Sequence, residues 1–169
     1  MQRPFNVLVL CTGNSARSIL GEALFNMLGA GRFQAYSAGS HPAGRVNPFA
    51  LELLAEMGYP VEALRSKSWD EFAQPGSPQM DFIVTVCDNA AGEVCPVWPG
   101  RPVTAHWGFP DPAAVQGSDA EKRAAFKRTL GQIRRRVELF LSLPLETMER
   151  IAVEDRMRAI GRVPSEEQL

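Results

Sequence analysis

The chain has 169 residues, 45% of them apolar and 22% charged, with a net charge of −1. That length fits one domain able to bury a core without staples, and the near-neutral balance excludes a bulk electrostatic pull toward nucleic acid or a membrane. No run approaches the ~20 apolar residues of a membrane span and no secretory signal is visible, so a cytoplasmic setting is expected, where three cysteines serve better as buried, catalytic or redox groups than as structural disulfides.

Residues 5–10 form a continuous apolar run before a glycine turn, the pattern of a short buried strand. The segment Cys11-Thr12-Gly13-Asn14-Ser15-Ala16-Arg17-Ser18 follows. A helix is predicted over 18–28, with Ile19, Ala23, Leu24 and Met27 on one face and Gly29 and Gly31 at its end. Residues 33–38 read as a second strand. Residues 48–57 read as a second helix, capped by Asn47 and stopped by Gly58. Ser68 and Glu71 have capping-box spacing for a short third helix.

Residues 81–87 give the clearest later strand. Residues 88–117 are rich in proline and glycine around one short strand, 102–106, and loops of that length commonly carry function. A second capping box, Ser118 and Glu121, opens a long helix with Phe126, Leu130, Ile133, Val137 and Phe140 on its apolar face. The run Arg134-Arg135-Arg136 is expected on its solvated side. Pro144 breaks this helix, and a last one is predicted over 145–160, ending at Gly161. Strands alternating with helices indicate an α/β domain with a mostly parallel sheet, whose ligands sit at the carboxyl ends of strands. Cys11 and Cys87 each end a predicted strand, so both sulfurs can share one rim.

The segment after Cys11 is the most informative in the chain. Gly13 and Asn14 tolerate left-handed backbone, so residues 12–17 can curl into a nest of inward N–H groups. The following helix adds its positive end, and Arg17 offers a planar fork for two oxygens of an anion. Thiols in such fields fall to pKa values of about 3.5–7.5; a drop of two units is worth ~2.7 kcal/mol to the thiolate. A lowered pKa is therefore expected at Cys11, with Ser18 donating a further hydrogen bond, which suits nucleophilic attack on a tetrahedral oxyanion. The lysine and second glycine of a nucleotide-binding loop are missing. Only two histidines and no paired CxxC are present, so zinc is not expected.

These residues resemble the Cys-x5-Arg-Ser signature of low-molecular-weight protein tyrosine phosphatases. The resemblance covers roughly residues 5–141. It implies a three-layer sandwich, a central four-stranded parallel sheet flanked by helices, spanning 1–144, with 145–169 as a helical extension packed on or trailing it. It also implies a general acid on an Asp-Pro pair late in the chain, where Asp111-Pro112 stands. With Cys87, Cys95 and the segment from His106 to Ala113 included, the chain is similar to the thioredoxin-coupled arsenate reductase branch of that fold. The likeness implies arsenate as substrate, with phosphate or sulfate competing. It implies attack by Cys11, anion binding by Thr12, Gly13, Asn14, Ser15, Ala16 and Arg17, and protonation of the leaving group by Asp111. It further implies a disulfide relay through Cys87 and Cys95, without a bound cofactor, that thioredoxin or glutaredoxin resets. Some members hold a potassium ion, for which Asn14, Glu22 and Ser37 match three ligands. The alternative is a phosphatase that hydrolyses phosphate monoesters with Cys11, Arg17 and Asp111 alone.

Overall fold

The computed structural model describes residues 3–87 and 98–163. Strands β1 (Phe5–Cys11), β2 (Phe33–Gly39), β3 (Phe82–Thr85) and β4 (Val103–His106) form one parallel sheet in the order β2-β1-β3-β4. Helices α1 (Arg17–Leu28), α2 (Pro48–Glu56), α3 (Asp119–Leu141) and α4 (Arg150–Ile160) complete the α/β frame.

Strand β1 lies inside the sheet and is buried from Val7 to Cys11, which is why it reads as an unbroken apolar run. Successive side chains alternate between faces. Val7, Val9 and Cys11 join the core built with α1, α3 and α4. Leu8 and Leu10 turn to the opposite face, under Trp69, Phe72 and Met80. The sheet is thus the middle of three layers. On the helical side Phe25, Phe33, Phe82, Trp107 and Phe140 meet with ring centroids 5.0–6.3 Å apart, and full burial of each such ring is worth roughly 1.5–3 kcal/mol.

Three expectations change. Residues 69–72 are a single 3-10 turn, Trp69–Phe72. Ser68 caps it, but the Glu71 carboxylate is drawn off by Arg65 at 2.6 Å, so no capping box closes. The last helix begins at Arg150. Residues 142–147 instead form turns around Pro144, and Arg32 donates to the carbonyls of Leu141 and Leu143 where α3 ends. Arg136 does not face solvent: it is 6% exposed and faces inward. The described part of the C-terminal extension packs on the domain, with Leu145, Val153, Met157 and Ile160 in the same core.

Candidate active site

Cys11 closes β1 and the chain then turns sharply into α1. The turn rests on Asn14, whose φ of 46° lies in the left-handed region that asparagine tolerates. Its fully buried side chain acts as a peg. The amide nitrogen donates to Ser18 Oγ at 2.8 Å and to Ser37 Oγ at 3.0 Å, and Oδ1 accepts from the Lys67 backbone N–H at 2.9 Å. The loop carbonyls are tied outward: Thr12, Gly13 and Ser15 accept from the backbone N–H groups of His41, Ala43 and Asn47. In a trans peptide the N–H points opposite to its carbonyl. The amides of Gly13, Asn14 and Ala16 therefore face the other way, and that of Gly13 reaches the Cys11 sulfur. An anion over the sulfur would meet these donors and the N-terminal end of α1.

Gly39, at the end of β2, makes this loop fit. A Cβ there would collide with the Thr12 carbonyl and crowd Cys11 and Asn14. Strand and loop backbones touch directly.

Cys11 and Cys87 are both buried thiols, not joined in a disulfide. The sheet brings them together across 76 positions, and the Cys11 thiol hydrogen-bonds the Cys87 sulfur. Cys87 Sγ also accepts from the Thr12 N–H at 3.2 Å and lies 3.4 Å from the Thr12 hydroxyl. Two sulfurs in contact disfavour two charges. The bond to Cys87 and then burial push the Cys11 thiol above its ordinary range, against the smaller opposing pull of Arg17 and the Gly13 amide. The low pKa expected at Cys11 is thus reversed while Cys87 stays beside it, because the bond to that sulfur and burial outweigh Arg17 and the Gly13 amide. The Thr12 amide, expected in the anion set, is directed to Cys87.

Arg17 opens α1 with its side chain 15% exposed. Its Nη1 donates to the Phe109 carbonyl at 2.9 Å and its Nη2 lies 3.7 Å from Asp111 Oδ2. Its Nε is buried with no hydrogen-bond partner among the described residues, a donor left for an oxygen of a bound anion. Asp111 caps the 3-10 turn Pro112–Ala114, its Oδ1 accepting from Ala113 N–H at 3.0 Å, so its carboxyl is fixed at the mouth opposite the loop. Ser18 is fully buried, and its Oγ accepts from Asn14. Its described role is to hold the peg.

The three residues matched to a potassium site also converge, but their oxygens are already engaged. Ser37 donates to Glu22 Oε1 at 2.5 Å and accepts from Asn14. Lys67 brings its own ammonium to 3.9 Å from Glu22, at 10% exposure. Burial raises the Glu22 pKa and lowers that of Lys67. A second cation beside this ammonium would meet its repulsion, so the arrangement does not fit potassium. Turnover measured in sodium chloride should equal turnover in potassium chloride at the same ionic strength; a several-fold gain in potassium would show that the ion does fit.

Cys95 lies outside the described residues. His106 pairs through Nδ1 with Thr85 Oγ1 at 2.8 Å. Trp98 is half-buried, its ring 6.3 Å from that of Trp69. Four contributors escaped the sequence: Gly39, Lys67, Arg136 and the donation of Thr12 to Cys87. Of these, only Gly39 leaves a signal, a glycine closing a strand.

The profile of the low molecular weight phosphotyrosine protein phosphatase family matches residues 6–153. An arsenate reductase of Halalkalibacterium halodurans is 37% identical over 134 residues, which are 79% of this chain and 93% of that protein. The structure of an arsenate reductase from Archaeoglobus fulgidus superposes with a TM-score of 0.61 at 33% identity, over 78% of this chain and 95% of the other. A thioredoxin-dependent arsenate reductase of Corynebacterium glutamicum gives 0.59 at 26% identity, over 86% of this chain and 65% of the other.

Proposed function

The chain belongs to the low molecular weight phosphotyrosine protein phosphatase family, and from that premise we infer that it reduces arsenate to arsenite with its own cysteines. The observation that carries this reading is the second buried sulfur: Cys87 hydrogen-bonded to Cys11 inside the anion loop. Ester hydrolysis needs one nucleophile. Removing two electrons' worth of oxidation from arsenic needs two thiols.

Arsenate enters over the Gly13, Asn14 and Ala16 amides and the Arg17 guanidinium. As the Cys11 proton passes to the Cys87 sulfur, charge moves to Cys11 beneath Arg17. Cys11 Sγ bonds to arsenic and an arsenic oxygen departs as water, protonated by Asp111. Cys87 gives that proton to solvent water and, its thiolate held by the Thr12 N–H and hydroxyl, attacks the Cys11 sulfur. The sulfur–arsenic electron pair leaves with arsenic, which becomes arsenite, and a Cys11–Cys87 disulfide remains. Cys95 then attacks Cys87 and frees Cys11. The Cys87–Cys95 disulfide is reduced by an external dithiol, for which thioredoxin fits a relay that ends in an intramolecular disulfide. No bound cofactor takes part.

No helix among the described residues is long and apolar enough to cross a membrane, and we place the enzyme in the cytoplasm, where such a reductant is maintained. Mass mapping after one turnover with arsenate and no reductant tests the sequence of steps. Wild type should accumulate Cys87–Cys95, and Cys95→Ser should stop at Cys11–Cys87. Three free thiols together with released phosphate from aryl phosphates would instead support the phosphatase.

A further inference from the structure

The stretch carrying Asp111 is gripped from two sides. Inside the pocket, Arg17 donates to the Phe109 carbonyl. Outside it, Arg136 of α3 donates from Nη1 to the Gly108 carbonyl at 2.9 Å, with its guanidinium carbon 4.5 Å from the centre of the Phe109 ring. Its Nη2 donates to the Val163 carbonyl, also at 2.9 Å. One buried guanidinium thus joins the segment before Asp111 to the chain just past α4.

Two further joints lie beside it. Trp107, 1% exposed, donates its indole N–H to the Met157 carbonyl at 2.9 Å. Gly161 approaches the His106 carbonyl so closely that a Cβ would collide with it. His106 and Trp107 meet the C-terminal segment directly, and Gly108 is joined to it through Arg136. Met157, Gly161 and Val163 all fall beyond residue 153, where the family match ends. Burying a guanidinium is costly, and burial does push the acidity of Arg136 in the direction of proton loss. Hydrogen bonds to two carbonyls and stacking on an aromatic face offset that cost.

We propose that Arg136 is a positioning residue for Asp111, and that the segment after residue 153 serves as the anchor on which it bears. On the pocket side Arg17 holds the Phe109 carbonyl, and the Phe109 N–H donates to the Val86 carbonyl at 3.2 Å; Arg136 and the C-terminal segment fix the opposite side, so that the acid meets the departing oxygen. The proposal rests on Asp111 being that acid, and the experiment separates the two.

Arsenite release is followed in a single turnover, and phosphate affinity by competition, for wild type, Asp111→Asn, Arg136→Met, Arg136→Lys and the double variant Asp111→Asn/Arg136→Met. Arg136→Met should slow release about tenfold and leave phosphate affinity within about twofold, with Arg136→Lys recovering part of the rate. The double variant should be no slower than Asp111→Asn, since both act through one group. Gly161→Ala, which leaves the guanidinium in place but presses a methyl on the His106 carbonyl, should slow release in the same way and keeps the test open if Arg136→Met folds poorly. Multiplying losses in the double variant, or phosphate affinity falling in step with rate, overturns the positioning role. A full rate in Asp111→Asn overturns the acid itself, and the brace with it.

Discussion

Cys87→Ala should abolish arsenate turnover, by at least about 10³-fold, while the pocket still binds phosphate. The two outcomes separate because Cys87 contributes electrons and not anion contacts. The loop donors come from residues 13–17, and removal of a sulfur that sits on the Thr12 amide leaves them in place. The same variant should alter the acidity of Cys11 in an unusual direction. The leading cause holding that thiol protonated is its bond to Cys87. With the second sulfur gone, Arg17 and the Gly13 amide act against burial alone, and Cys11 should ionise at lower pH than in wild type. Alkylation of Cys11 by iodoacetamide, followed by mass across pH 5–9, reads this directly. The midpoint should move down in Cys87→Ala. A midpoint that stays or rises means the sulfurs do not share a proton, and the relay loses its physical basis.

Arg17→Lys should cost about 10³-fold in turnover, the scale of removing a preorganised oxyanion donor, and weaken phosphate as a competitor by about tenfold or more. Charge is conserved in this change, so any loss is geometric. A lysine cannot donate to the Phe109 carbonyl, stay near Asp111 and still present a free planar nitrogen to the anion, as the guanidinium does. Turnover within about tenfold of wild type would mean that Arg17 acts as a point charge, and that its fork has no special role.

The parts of the molecule readable in advance are the local ones. The buried strand before Cys11, the loop, the helix after it and the capped start of α3 all declare themselves within a dozen residues, through apolar runs, turn residues and a capping box. What the sequence hid depends on pairings made by the sheet. Cys87 meets Thr12 across 75 positions, and its bond to Cys11 reverses the lowered pKa expected for Cys11 from its immediate neighbours. Lys67 reaches Asn14 across 53 positions. Its ammonium balances Glu22, which no reading of the three matched ligands alone could reveal. Arg136 sits in a run of three arginines that looks solvated. Its inward position follows only from the carbonyls of Gly108 and Val163, 28 and 27 positions away. Glu71 has capping-box spacing yet serves Arg65, a case of a stronger tertiary bond overriding a local pattern.

The bare backbone of Gly39 has a consequence for how this pocket can change. Because the second strand lies flush on the nucleophile loop at Thr12 and Asn14, even a methyl group there would act as a wedge, prising the amide ring off its template. New oxyanion preferences in such a chain must therefore arise at the opposite wall, around Asp111, Ala113 and Ala114, where exposed side chains have room to differ without bending the floor.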